Sequence, residues 1–278
     1  MFELLKEMLS YDFLLRALIV GFLVSICSSL LGASLVLKRY SMIGDGLSHV
    51  GFGSLAAASA FNLSPLGVSV PCVIAASFIL LKLSSNSKIR GDALIALMSV
   101  SAMALGIMIV SLTKGLTLDI CNYMFGSILA MTSSDVYLSA ALAAVVILCF
   151  VLFYNKIFAV TFDETFARSI GINVKKYNTL LSVLTAVTIT VGMRMMGALL
   201  ISSLIVFPAL SAMRVCKTFR NTAICSLFIS VFCFFIGLFA SYLYEIPTGA
   251  SIAVMNLAAF LFFCLIERIN NSVQIIRS

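Results

Sequence analysis

Charged residues are scarce in this chain. Aspartate, glutamate, lysine and arginine make up 10% of its 278 residues, whereas a soluble domain has roughly 25%. Hydrophobic residues make up 62%, and the mean hydropathy is +1.16. The apolar residues come in continuous runs, which excludes a β-barrel because its strands alternate polar and apolar residues. The sequence therefore predicts an all-α, polytopic helical membrane protein.

Motifs for catalysis and nucleotide binding are also missing. One histidine and 11 acids leave little for a hydrolase triad, and the zinc motif H-E-x-x-H does not occur. No G-x-x-x-x-G-K-[ST] loop is present, so the chain is not expected to bind ATP by that route. The eight cysteines contain no C-x-x-C pair, and we expect neither disulfides nor a thiolate metal site. The sequence thus predicts neither an enzyme nor a resident cofactor.

The net charge of +7 has a membrane explanation. With Lys38 and Arg39 on the cytoplasmic side, fourteen of the 18 lysines and arginines fall on that side and four on the other. Enrichment of positive charge in cytoplasmic loops is general for membrane proteins. It places the N-terminus outside and the C-terminus inside, and no nucleic-acid partner is needed to explain it.

Apolar runs predict about nine transmembrane helices within one domain, residues 1–278. The runs lie near 13–37, 46–62, 66–82, 93–112, 135–154, 179–193, 197–213, 222–243 and 247–266. Two of them, 46–62 and 179–193, are short for a crossing of roughly 20 residues. The segment 119–131 is too short to span and predicts a surface or re-entrant helix.

Two ionisable residues stand out at the start of the second run. Asp45 and His49, the only histidine, are four residues apart and would share one face of a helix. A carboxylate and an imidazole on one face can hold a divalent transition metal, and ionisable groups beside hydrocarbon usually have a function. The alternative is that Asp45 caps the helix and His49 hydrogen-bonds a neighbouring helix.

A cytoplasmic segment at about 155–178 predicts a short amphipathic helix, followed by a glycine turn at Gly171. Its apolar positions recur at helical spacing, and its charged positions fall on the other face. The apolar positions are Phe162, Phe166, Ala167 and Ile170, and the charged positions are Asp163, Glu164 and Arg168. Mixed charge favours a protein partner over an anionic bilayer.

The stretch from Leu31 to His49, LGASLVLKRYSMIGDGLSH, resembles the signature of the membrane subunits of bacterial ABC importers for zinc, manganese and iron. Four further blocks resemble that family in the same order. They are 123–130, 162–172, 191–209 and 247–250. The resemblance covers about residues 13–266, nearly the whole chain.

The resemblance implies a homodimeric permease in the bacterial inner membrane, surrounded by lipid and similar in fold to the vitamin B12-type importers. It also implies separate ABC ATPase subunits and a periplasmic or surface metal-binding protein as partners. The segment from Phe162 to Ile172, including Gly171, matches the family's coupling helices, and Asp45 and His49 match its own Asp and His. The blocks 184–189 and 119–130 resemble zinc-uptake permeases more than manganese ones, so Zn²⁺ is favoured over manganese and iron.

Two other classes of protein remain as alternatives. A gradient-driven carrier or channel would usually show broken-helix repeats and more intramembrane acids. A non-transporting scaffold would explain the helices and the docking segment but not Asp45 and His49. Dependence on ATP and on a partner ATPase separates the importer from the carrier.

Overall fold

The computed structural model describes residues 11–86, 91–113, 126 and 131–277. These residues form helices joined by short turns. The helices are α1 Asp12–Leu37, α2 Ile43–Ala60, α3 Pro65–Asn86, α4 Gly91–Leu112, α5 Ser133–Leu152, α6 Tyr154–Phe162, α7 Glu164–Ser169, α8 Val174–Met196, α9 Ala198–Val215, α10 Phe219–Tyr244 and α11 Thr248–Arg277. The prediction of an all-α chain is confirmed for this described part.

Within the described residues, eight helices are long and apolar enough to cross a membrane: α1, α3, α4, α5, α8, α9, α10 and α11. Helix α2 corresponds to the one remaining predicted span, 46–62. It is less apolar than the other eight because it carries Asp45, His49 and several glycines. It can be less apolar because it packs against α3, α4, α8 and α9. The prediction of about nine membrane helices is therefore met.

Helix boundaries differ from the prediction where a span begins or ends with polar residues. The run predicted at 179–193 is the 23-residue helix Val174–Met196. Its first turn contains Lys175 and Lys176, which hydropathy alone assigned to a loop. The segment predicted as a surface or re-entrant helix, 119–131, lies outside the described residues except for Gly126 and Met131.

The bundle has an enclosed centre and an apolar outside. Of the most apolar stretch of α8, 72% of residues are buried, against 22% for α4 and for α11. Helices α1 and α9 are intermediate, at 56% each, and α1 contacts both α9 and α10. Leucines and valines on the outer helices, such as Leu97, Val100 and Leu265, are exposed. Such a surface suits lipid or another apolar protein face, since lipid tails solvate it as well as side chains do.

Candidate metal site and coupling region

The connection from α1 to α2 is short and hydrogen-bonded. Arg39 adopts a left-handed conformation with φ of 64°. The Arg39 N–H donates to the Val36 carbonyl and the Tyr40 N–H to the Leu35 carbonyl, the paired hydrogen bonds of a Schellman motif. The Gly46 N–H then donates to the Met42 carbonyl, within the first turn of α2. The first turns of α2 are thus held firmly against the end of α1.

Asp45 and His49 lie together on these first turns, as the spacing predicted. His49 Nε2 is 3.5 Å from Asp45 Oδ1, and the two side chains are 16% and 45% exposed respectively. The N-cap of α2 is Met42, which makes no side-chain capping bond. Asp45 is the third residue of the helix, so the capping alternative does not describe its position. The pair therefore has the geometry for two ligands facing one small cation.

A serine that the sequence did not single out holds the other oxygen of Asp45. Ser99 Oγ on α4 donates to Asp45 Oδ2 over 3.5 Å, and Ser99 is buried. Its only sequence signal is a hydroxyl within an apolar run, which many membrane helices share. The contact is visible only once α2 and α4 are packed together.

The pair opens into a cavity of about 500 Å³ between α2, α9 and α11, which we call the Asp45 cavity. Its walls include Ser202 on α9 and Val254 and Leu257 on α11. Ser202 Oγ is buried and has no hydrogen-bond partner among the described residues. The cavity thus combines a carboxylate, an imidazole and a free hydroxyl in an otherwise apolar wall. The described residues contain no cluster of three or more His, Cys, Asp or Glu side chains.

The coupling region contains two short helices where the sequence predicted one. Helix α6 ends at Phe162 and α7 begins at Glu164, with Asp163 extended between them at φ of −148°. The Asp163 carboxylate accepts hydrogen bonds from the N–H groups of Thr165 at 2.8 Å and Phe166 at 3.0 Å. An aspartate N-cap starts a new helix because it satisfies donors that the first turn leaves free. Helical periodicity across 162–170 therefore concealed a break at Asp163.

The predicted apolar positions divide between an exposed and a buried set. Phe162, Phe166 and Ile170 are 58%, 57% and 54% exposed. Ala167 is fully buried and packs in a small cluster with Val160, Val174 and Tyr177. We call these three exposed apolar side chains the Phe162–Ile170 surface.

The predicted glycine turn is confirmed at Gly171, whose φ is +81°. The Gly171 N–H donates to the Arg168 carbonyl and the Ile172 N–H to the Ala167 carbonyl. This is again the Schellman pattern, in which glycine adopts the left-handed conformation without steric cost. It ends α7 sharply and directs the chain into α8.

Glu164 points inward, toward the bundle. Its Oε1 is 3.1 Å from Lys38 Nζ and accepts a 2.8 Å hydrogen bond from Asn178 Nδ2. Lys38 Nζ also donates to Asn178 Oδ1, so these residues form a closed ring that we call the Lys38–Glu164–Asn178 cluster. The other carboxylate oxygen, Glu164 Oε2, lies 3.7 Å from Arg168 Nη2. Partial burial opposes ionisation, but the Asn178 hydrogen bond and the positive charges prevail and lower the pKa of Glu164.

Residues 10–267 match the profile of the ABC 3 transport family. The chain belongs to this family. The resemblance deduced from the Leu31–His49 stretch is thereby confirmed. The assignments of Asp45 and His49 to metal, and of 162–171 to ATPase coupling, remain predictions, now with a defined geometry.

Three relatives of this chain are transport proteins, and each is named for a different metal. It is 32% identical to a probable iron transport system membrane protein of Haemophilus influenzae, with 94% of each chain covered. It is 29% identical to the high-affinity zinc uptake system membrane protein of the same organism, over 91% of this chain and 96% of the relative. A manganese import system permease of Streptococcus gordonii is 26% identical, with 93% of each covered.

The fold also matches that of a solved structure. PsaBC from Streptococcus pneumoniae in complex with Fab matches with a TM-score of 0.83 and 26% identity, over 94% of each chain. The eight apolar helices and the membrane-protein relatives together make this family member a multi-pass membrane protein. The predictions of fold class and membrane location are confirmed.

Proposed function

We propose that this chain is the permease subunit of an ATP-driven importer that moves a divalent transition metal, Zn²⁺ in the first place, across a bacterial inner membrane. The observation that carries the proposal is the Asp45–His49 pair at the Asp45 cavity, inside a bundle of the ABC 3 transport fold. The relatives support metal as the cargo, since they are named for iron, zinc and manganese.

The choice of ion depends on the chemistry of the cavity. Identities of 32%, 29% and 26% to the iron, zinc and manganese relatives differ too little to decide it. An imidazole ligand suits zinc, whereas manganese prefers sites built from oxygen. We therefore keep Zn²⁺ ahead of Mn²⁺ and iron. Two strong ligands from one chain also suit transport, because a cargo ion held by four would be released slowly.

The partners follow from two exposed surfaces. The Phe162–Ile170 surface is where we place the ABC ATPase subunits, since this chain has no phosphate-binding loop of its own. The second surface is on α11, where Val254 and Leu257 line the Asp45 cavity yet are 61% and 42% exposed. A second copy of the chain would cover this apolar wall and enclose a path between the two copies. A metal-binding protein outside the membrane would deliver the ion.

The mechanism we propose is alternating access. The ion leaves its binding protein, enters the dimer centre and is held briefly by Asp45 and His49. ATP binding and hydrolysis by the partner subunits move the coupling region and open the cytoplasmic side. The chain itself only binds, orients and releases the ion.

Uptake into proteoliposomes tests the proposal. The vesicles would contain this chain with its ATPase, the binding protein would be added outside, and Zn²⁺, Mn²⁺ and Fe²⁺ would compete in one assay. We expect ATP-dependent zinc uptake that excess manganese hardly reduces. We also expect at least about tenfold less uptake by His49→Ala, since loss of even a residue that only supports a metal ligand costs about 10–100-fold in affinity or activity. Co-purification of the ATPase with His49→Ala is the control for assembly. Uptake without ATP would indicate a gradient-driven carrier instead.

A further inference from the structure

The Lys38–Glu164–Asn178 cluster joins three elements that are far apart in sequence. Lys38 caps the end of α1, Glu164 begins α7, and Asn178 lies in the second turn of α8. The Lys38 side chain is only 8% exposed, although it carries a charge. A charge that is almost buried is stabilised by an opposite charge and by hydrogen bonds, and the cluster supplies Lys38 with both through Glu164 and Asn178. Lys38 is therefore constrained to follow Glu164 when α7 moves.

Lys38 is also close to the candidate metal ligands along the chain. Asp45 follows it by seven residues, and the intervening backbone is held by the Schellman bonds at Arg39 and Tyr40. The Ile43 N–H then donates to the Tyr40 carbonyl, which continues the hydrogen-bonded path into α2. Because this connection has no slack segment, displacement of the α1 end at Lys38 displaces the start of α2.

Helix α7 has exposed apolar side chains on one side and its polar contacts with the bundle on the other. Phe166 and Ile170 are exposed on one side, where a partner protein would press. Glu164 contacts Lys38 and Asn178 on the other side. The helix has only six residues and lies between Asp163 and Gly171, with Ala167 packed against Val160 on α6 and Tyr177 on α8.

We propose that the Lys38–Glu164–Asn178 cluster is the link through which movement of α7 reaches the metal ligands on α2. Lys38 is a positioning residue for Asp45 and His49, and its charge holds the ATPase-docking helix α7 to the end of α1, which leads directly into α2. The inference rests on the proposed function, and it adds a defined route between the two sites. Without this link, the Asp45–His49 pair and the Phe162–Ile170 surface stay intact, but ATP hydrolysis no longer drives metal movement.

The test is the ratio of metal uptake to ATP hydrolysis in the complete complex. Initial rates of Zn²⁺ uptake and phosphate release would be measured on the same proteoliposomes for wild type and Lys38→Met. We expect the ratio to fall by about fivefold or more, the lower range of ordinary coupling between sites. The charge exchange Lys38→Glu with Glu164→Lys is expected to recover most of the ratio, because it restores an ion pair in the same place.

Lys217→Met is the matched control. Lys217 is an exposed lysine in the connection between α9 and α10, outside both the cluster and the 155–178 segment, so its loss is expected to leave the ratio unchanged. If Lys38→Met does not reach the membrane, Glu164→Gln gives the same test, since glutamine keeps an acceptor for Lys38 and Asn178 but removes the charge.

The outcomes separate the link from the proposed function. Absence of ATP-dependent uptake by wild type would overturn the proposed function. Uptake by wild type together with a wild-type ratio in Lys38→Met would overturn the link alone. A parallel fall of uptake and hydrolysis, with their ratio unchanged, would also overturn it, because this is what simple structural damage produces.

Discussion

At the residue scale, a few polar side chains carry the chemistry of an otherwise apolar bundle. Asp45 divides its two oxygens between His49 and Ser99, each at 3.5 Å. One carboxylate oxygen thus faces the imidazole, and the other faces the serine hydroxyl. Ser202 adds a hydroxyl without a partner among the described residues at the same cavity. Removal of these groups should therefore have graded effects on metal binding.

Asp45→Asn is expected to raise the apparent KM for Zn²⁺ uptake by at least about tenfold, because the amide keeps the shape but is a far weaker ligand than a carboxylate. Ser99→Ala should have a smaller effect. Its hydrogen bond is long, and loss of about 0.5 kcal/mol corresponds to about a twofold change. Concentration-dependent uptake in proteoliposomes measures both. Equal KM values for Asp45→Asn and wild type would exclude Asp45 as a ligand.

At the element scale, local backbone signals divide the coupling region into separate short helices. Asp163 starts α7 and Gly171 ends it, so α7 is a distinct six-residue helix rather than a continuation of α6. The apolar periodicity of 162–170 was real, but it ran across the break. Periodicity indicates which side chains would share a face of one continuous helix, and here the exposed positions belong to two helices, with Phe162 on α6 and Phe166 on α7.

Asp163→Ala is expected to weaken α7 by about 1 kcal/mol, because alanine cannot accept the N–H groups of Thr165 and Phe166. If the ATPase docks on an intact α7, the Asp163→Ala change lowers the affinity of the ATPase for the permease by about fivefold. Asp163→Ser is the matched control, since serine retains a capping oxygen. Binding of the purified ATPase to the detergent-solubilised chain measures the difference, and equal affinities for the alanine and serine variants would contradict the prediction.

At the scale of the whole molecule, the enclosed helices and the exposed ones have different neighbours. Helix α8 is mostly buried, whereas α4 and α11 are mostly exposed. One exposed side of α11 also forms a wall of the Asp45 cavity through Val254 and Leu257. A cavity with one open apolar wall is what a second copy of the chain would complete.

Cysteine cross-linking tests this arrangement in native membranes. In a chain whose eight cysteines are replaced by alanine, Val254→Cys is expected to give a disulfide-linked dimer on oxidation. Leu148→Cys is the control, because Leu148 is 58% exposed but lies on α5, away from the Asp45 cavity. The dimer band on a non-reducing gel is the measurement. Equal cross-linking of both variants would indicate random collision, and its absence from Val254→Cys would place the dimer interface elsewhere.

The sequence by itself determined the class of the protein, the number of membrane helices and the position of the ionisable pair. These follow from local properties, because hydropathy over about 20 residues predicts a span and a spacing of four residues predicts one helix face. Only the tertiary structure decided what lies around the pair. Ser99, Ser202 and Val254 come from three other helices, and Lys38 meets Glu164 across 126 positions of the chain. Such contacts depend on how helices pack, which the pattern along one helix does not contain.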